Sequence, residues 1–176
     1  MRAAAEWRGE TYYWSKHREF MKVVDLPRRV SQPLELALAC DDQQVLALLR
    51  SRGWRVLDGV QLSRDIAPYR DYVRGSRAEF TVAKDQYVRL RTGWFSDRSA
   101  CYLAAGRPVV TQDTGFGCAL PVGEGLLAFA TVEDAAAAIE AVAVDPRGHS
   151  AAARELADEH FAAERVLGEM VAAAGL

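Results

Sequence analysis

From Pro33 onward, short apolar runs alternate with helix-like segments, and this alternation limits the fold more than any other feature of the chain. Leu34 to Ala39 reads as a first strand. Asp41 or Asp42 caps a helix through Arg52, with Val45, Leu46, Leu48 and Leu49 apolar and Gly53 closing it. Trp54 to Leu57 is a second strand, Ser63 to Asp65 a turn, and Pro68 to Gly75 a short helix carrying Tyr69, Tyr72 and Val73. Glu79 to Ala83 is a third strand, followed by a long segment from Lys84 to Phe95 that reads either as a loop throughout or as a loop with one helical turn. A helix from Ser96 to Ala105 ends at Gly106, and Arg107 to Thr111 is a fourth strand. Gln112 to Gly125 is a glycine-rich connection to a fifth strand, Leu126 to Phe129. Thr131 then opens a helix with Val132, Ala135, Ala136, Ile139 and Val142 on one face, and Thr131 with Asp134 resembles a capping box. Ser150 to the C-terminus is one broken or two consecutive helices, with Leu156, Phe161, Val166, Leu167 and Met170 facing inward. Strands and helices spaced in this way form parallel strands joined by right-handed crossovers. The expected fold is α/β: a Rossmann-like parallel sheet of about five strands with helices on both faces.

Residues 1–32 read as an N-terminal arm and helix ahead of a domain spanning 33–176. In the arm, Trp7, Tyr12, Tyr13 and Trp14 are either a packing anchor or a contact for a missing domain. Ser15 caps a helix to about Leu26 that buries Phe20, Val23 and Val24, and Pro27 and Pro33 bracket an irregular link. A length of 176 residues at 50% hydrophobic content supports one domain with a real core. The net charge of −2, with acids interspersed among the arginines, argues against nucleic acid as a partner. No apolar run approaches the length of a membrane span, and Met1 to Glu10 has no apolar signal-peptide core, so a cytoplasmic protein is expected. Cys40, Cys101 and Cys118 lie far apart without metal-ligand spacing, which suggests small buried thiols and no metal.

Ligands of parallel sheets bind beyond the carboxyl ends of the strands. This rule picks out Cys40 to Asp42, the turn after Asp58, Lys84 to Ser96, and Gln112 to Gly117. Within them, Gly93 permits close backbone approach, and Ser96 is a good N-cap whose helix presents unpaired N–H groups. Such a terminus favours phosphate, and Arg98 in the first turn adds a charge-assisted donor. Asp97 cuts the other way, since its carboxylate repels an anion. The same residues also make an ordinary capped helix packed on a sheet. Asp113 sits where a carboxylate bonds sugar hydroxyls, and it also suits a plain turn. Lys84 closes the third strand and can balance diphosphate charge or simply be solvated. Gly115-Phe-Gly and Gly123-Glu-Gly are poor dinucleotide fingerprints. Cys101 has no paired histidine in sequence and is not read as a nucleophile.

Tyr102-Leu-Ala-Ala-Gly-Arg-Pro-Val-Val resembles the helix–glycine–strand step of GT-B glycosyltransferases, in which the helix N-terminus faces the donor diphosphate. The wider run from Gly93 to Gly115 is similar to bacterial glycosyltransferase-like proteins with Trp-Phe-Ser-Asp-Arg before the helix and Gln-Asp-Thr-Gly after the strand. Asp25-Leu-Pro-Arg-Arg and Glu79-Phe-Thr-Val-Ala-Lys are similar to the same group, so the resemblance covers roughly residues 12 to 170. It implies the C-terminal, donor-binding half of a GT-B enzyme. A nucleotide diphosphate sugar is then the substrate, with no further cofactor. Lys84, Gly93, Ser96, Asp97, Arg98, Asp113, Thr114 and Gly115 form the donor site.

Two departures limit the carry-over. Gly93 and Cys101 stand where many retaining GT-B enzymes carry two glutamates eight positions apart. The chain also supplies one half where GT-B enzymes use two, so the acceptor site and general base come from a separate N-terminal half or a homodimer partner. Two readings stay open: half of a glycosyltransferase, or a non-catalytic nucleotide-binding or protein-interaction module.

Overall fold

A computed structural model describes residues 4–175. The N-terminal arm is a hairpin. Strands β1 (Ala4–Trp7) and β2 (Glu10–Tyr13) pair antiparallel, with Trp7 opposite Glu10. The two-residue turn puts Arg8 at φ 51 and Gly9 at φ 78, the geometry that suits the twist of a hairpin. Arg-Gly is a weak signal for this turn beside Asn-Gly, and the hairpin is not legible from sequence. Helix α1 (His17–Lys22) is shorter than the expected helix to Leu26. It closes on a Val23 N–H to Phe20 C=O bond, and a separate 3-10 turn, Leu26–Arg28, takes Pro27 at its start.

The alternating part follows the expected order. Strand β3 (Glu35–Leu38) leads to α2 (Gln43–Ser51), where Asp42 Oδ1 accepts the Gln44 and Val45 N–H groups at 2.9 and 3.2 Å. Next come β4 (Arg55–Asp58), α3 (Gly59–Ser63) and α4 (Ile66–Gly75). Asp58 caps α3 in the same manner, which places a helical turn where a plain connection was expected. Then follow β5 (Glu79–Thr81), α5 (Asp85–Arg89), α6 (Asp97–Ala104), β6 (Val109–Gln112) and β7 (Leu126–Phe129). Helices α7 (Val132–Val144), α8 (Pro146–His160) and α9 (Ala163–Ala173) complete the chain, and the Thr131/Asp134 capping box is formed at α7.

The protein is α/β with parallel sheets. Val109 pairs with Glu79 on one side and Leu126 on the other, and Leu36 pairs with Val56. The five parallel strands do not make one sheet, however. They form a two-stranded sheet, β3-β4, and a three-stranded sheet, β5-β6-β7. A cleft of about 880 Å³ runs between β3 and β5. Arg77, just before β5, donates to the Gln32 side chain, just before β3, so the two strands begin at the same end of the cleft.

The strand period of two decides which side chain meets which helix. Phe80, Val110, Leu127 and Phe129 join α7 in one core, together with Val23, Val24 and Leu26 from the N-terminal region. Val109, Leu126 and Ala128 join α6 and α8 in a second core with Leu103, Ala153 and Leu156. Helices therefore cover both faces of the three-stranded sheet. Two local expectations fail. Val166, Leu167 and Met170 on α9 are exposed rather than inward, because no other described element packs over that face of the helix. Cys101 and Cys118 are exposed thiols, not buried ones.

Candidate functional site

The loop between α5 and α6 is tied to the loop after β6. The Gly93 N–H donates to the Thr114 carbonyl at 2.8 Å, and the buried Thr114 hydroxyl donates to the Trp94 carbonyl at 2.6 Å. Arg91 Nη1 reaches Asp113 Oδ2 at 3.0 Å, and Asp113 Oδ1 accepts the Gly115 N–H at 2.7 Å. Gly115 sits at φ +91 with the Arg91 carbonyl 3.2 Å from where a Cβ would lie, so only glycine fits without strain. Gly93, Asp113, Thr114 and Gly115 thus come together. Asp113 serves as an ion-pair partner and turn former.

At the start of α6, Ser96 is buried and makes no side-chain cap. Asp97 is exposed, and its Oδ1 accepts the Arg98 N–H at 2.9 Å. The Arg98 guanidinium lies back along β5: Nε donates to Glu79 Oε1 at 2.5 Å and Nη2 donates to the Thr81 hydroxyl at 2.8 Å. The Glu79 side chain is 4% exposed while that of Arg98 is 41% exposed, so the carboxylate is buried and the cation faces the cleft. Lys84 stands apart from this pair, with Nζ 4.4 Å from the Trp14 ring centroid and 5.5 Å from that of Tyr87.

Sequence reasoning did not single out Lys16. Its Nζ donates to the same Thr81 hydroxyl at 3.4 Å and lies 5.3 Å from the Trp94 ring centroid. Trp94 in turn stacks on Tyr87, with centroids 5.1 Å apart and planes at 16°. Two cations therefore converge on one hydroxyl oxygen. Burial pulls the Lys16 ammonium down first, and the neighbouring Arg98 and, more weakly, Lys84 pull it further, to about 8 against the partial support of Glu79. A side-chain position of this kind gives no periodic or motif signal. Glu79 and Thr81 lie within Glu79-Phe-Thr-Val-Ala-Lys, a segment already distinctive in sequence, but their pairing with Arg98 is not.

The N-terminal hairpin lies near this end of the sheet. The Tyr13 N–H donates to buried Asp85 Oδ2 at 2.9 Å, and the Asp85 N–H donates to the Ser15 carbonyl at 3.4 Å. Helix α1 is clamped to the end of β6 through Glu19, 1% exposed, whose Oε2 accepts Gln112 Nε2 at 2.5 Å while Lys22 covers its other oxygen at 2.7 Å. The arrangement as a whole is a cationic, aromatic-walled corner at the carboxyl end of β5, suited to an anion carried on a planar or hydroxylated group. No helix among the described residues is long and apolar enough to cross a membrane. No family model matches the chain, and no curated protein or solved structure matches it significantly.

Proposed function

We propose that the chain is the nucleotide-sugar-binding half of a GT-B-like glycosyltransferase, with the donor diphosphate held beside the carboxyl end of β5. The observation that carries this reading is the convergence of Lys16 and Arg98 on the Thr81 hydroxyl, with Glu79 the carboxylate bonded there. A diphosphate oxygen at that corner would separate the two like charges and accept from both. The first N–H groups of α6 and the Lys84 ammonium add to the same field. Gly93, Ser96 and Asp97 shape the helix entry, and Asp113, Thr114 and Gly115 form the loop over the sugar. Breaking the bond between the anomeric carbon and the diphosphate oxygen puts negative charge on the leaving group, and fixed cations lower that barrier. The acceptor and the general base belong to the other half.

A second reading, a non-catalytic nucleotide-binding or protein-interaction module, has one observation in its favour. Arg98 and Asp113 already hold internal partners, Glu79 and Arg91. Calorimetric titration with UDP, GDP and ADP and with their glucose conjugates tests the nucleotide reading. Saturable binding is expected for the wild type and for Arg165→Ala, whose side chain pairs with Glu169 on α9 away from this corner. Folded protein that binds none of these ligands would remove the nucleotide from the reading.

A further inference from the structure

A smaller cavity, of about 470 Å³, opens between the carboxyl ends of α4 and α6 and the first turns of α8. The chain leads from Arg74 into β5 and from Arg107 into β6, so this cavity lies at the amino ends of the strands. It shares no residue with the corner built by Lys16, Thr81 and Arg98. On α8, Arg147, Ser150, Ala151 and Arg154 stand at positions i, i+3, i+4 and i+7 and form one stripe along its wall. The Ser150 hydroxyl donates to the Gly106 carbonyl, and Gly106, at φ +65, turns the chain out of α6 beside that stripe.

The cations of this cavity are mostly without carboxylates. Arg154 pairs with Asp158 at 2.9 Å and also donates to the Ala104 carbonyl at 2.7 Å. Arg74, Arg107 and Arg147 have no carboxylate within ion-pair distance among the described residues. Asp145, close in sequence to Arg147, accepts the Gly148 N–H at 2.9 Å and caps α8. Arg107 Nη2 donates to the Arg74 carbonyl, while Arg107 Nε is buried with no hydrogen-bond partner. The chain has 24 acidic against 22 basic residues, so a cluster of unpaired arginines does not follow from composition. Guanidiniums gathered in a concave site raise the local positive potential, and a bound oxyanion relieves their mutual repulsion.

We propose that this cavity is a second anion site, which takes a phosphate group through Arg74 and Arg147. Every cation lining it is arginine, whose planar fork donates two N–H groups to two oxygens of one phosphate. Small residues, Ala104, Gly106 and Ala151, complete the lining and leave room for whatever carries the phosphate. The phosphate belongs to a soluble molecule or to a lipid headgroup; both present the same oxygens, and the test separates them. The inference does not depend on the nucleotide reading, since the two sites share no residue and the readout is local to this one.

The whole chain, labelled with nitrogen-15, is titrated with pyrophosphate, with sodium chloride at matched ionic strength as the reference, and the Gly106, Gly148 and Ala151 amides are followed by NMR. Saturable shifts at these amides are expected for the wild type and equally for Lys16→Met, which leaves this cavity intact. The double variant Arg74→Gln/Arg147→Gln should bind at least about tenfold more weakly, through the loss of charge-assisted hydrogen bonds. Both side chains are exposed, so the rest of its amide spectrum should match the wild type. In parallel, both proteins are sedimented with phosphatidylcholine vesicles containing phosphatidate. A pyrophosphate response weakened in the double variant supports a soluble phosphate ligand. Capture by the phosphatidate vesicles that the double variant loses, without a pyrophosphate response, supports a headgroup. Pyrophosphate shifts no larger than those of chloride together with no vesicle capture overturn the proposal, and so does binding that the double variant retains in full.

Discussion

Replacing Lys16 with methionine separates a binding cation from a structural one. Methionine keeps much of the length and apolar stem of lysine and removes the charge. In the free protein Lys16 is partly desolvated and faces Arg98, and its ammonium titrates near 8 instead of 10.5. The sign follows from linkage: the folded state binds this proton more weakly than the unfolded chain does, so the group costs stability below pH 8, and the cost fades as pH rises toward 10.5. Lys16→Met is therefore expected to leave the thermal midpoint at pH 7 unchanged or raised. Nucleotide binding moves the other way. A hydrogen bond to a charged group contributes about 1.5–3 kcal/mol, so the variant should bind nucleoside diphosphate roughly tenfold to a hundredfold more weakly. Because only the protonated amine attracts the anion, wild-type affinity should fall by about tenfold between pH 7 and 9, and Lys16→Met should lack that component. Calorimetry at pH 7, 8 and 9 on both proteins, with a melt at pH 7, measures all three effects. Wild-type affinity retained by the variant, or a variant that melts well below wild type, refutes the assignment of Lys16 as an anion ligand.

Glu19→Ala should cost about 1–3 kcal/mol in urea unfolding, because it leaves the buried Gln112 amide without its acceptor at the α1–β6 clamp; a loss under 0.5 kcal/mol would show the clamp to be incidental. Thr131→Ala removes the hydroxyl that accepts the Asp134 N–H at 3.1 Å and should cost about 1 kcal/mol by the same measurement. Nucleotide affinity should be unchanged in Thr131→Ala, since α7 packs on the face of the sheet away from α6.

What could be read from the residues was local. Alternating apolar runs, the Asp42 cap, the Thr131/Asp134 box and the glycine stops all act within a few residues, so the order of the five strands and of helices α2, α4, α6 and α7 is legible from the sequence, while the short helices α3 and α5 are not firmly marked in it. So is the convergence of Gly93, Asp113, Thr114 and Gly115, because chain order in a parallel sheet brings successive strand-end loops together. The split between β3 and β5 is not legible, since strand pairing depends on which edges meet in space and not on the composition of either strand. Nor is the corner formed by Lys16, Glu79, Thr81 and Arg98. Lys16 precedes α1, Glu79 and Thr81 lie on β5, and Arg98 opens α6; only packing brings the two cations onto one hydroxyl. The lowered Lys16 titration follows from the same packing, because desolvation and a like charge nearby exist only in the folded chain.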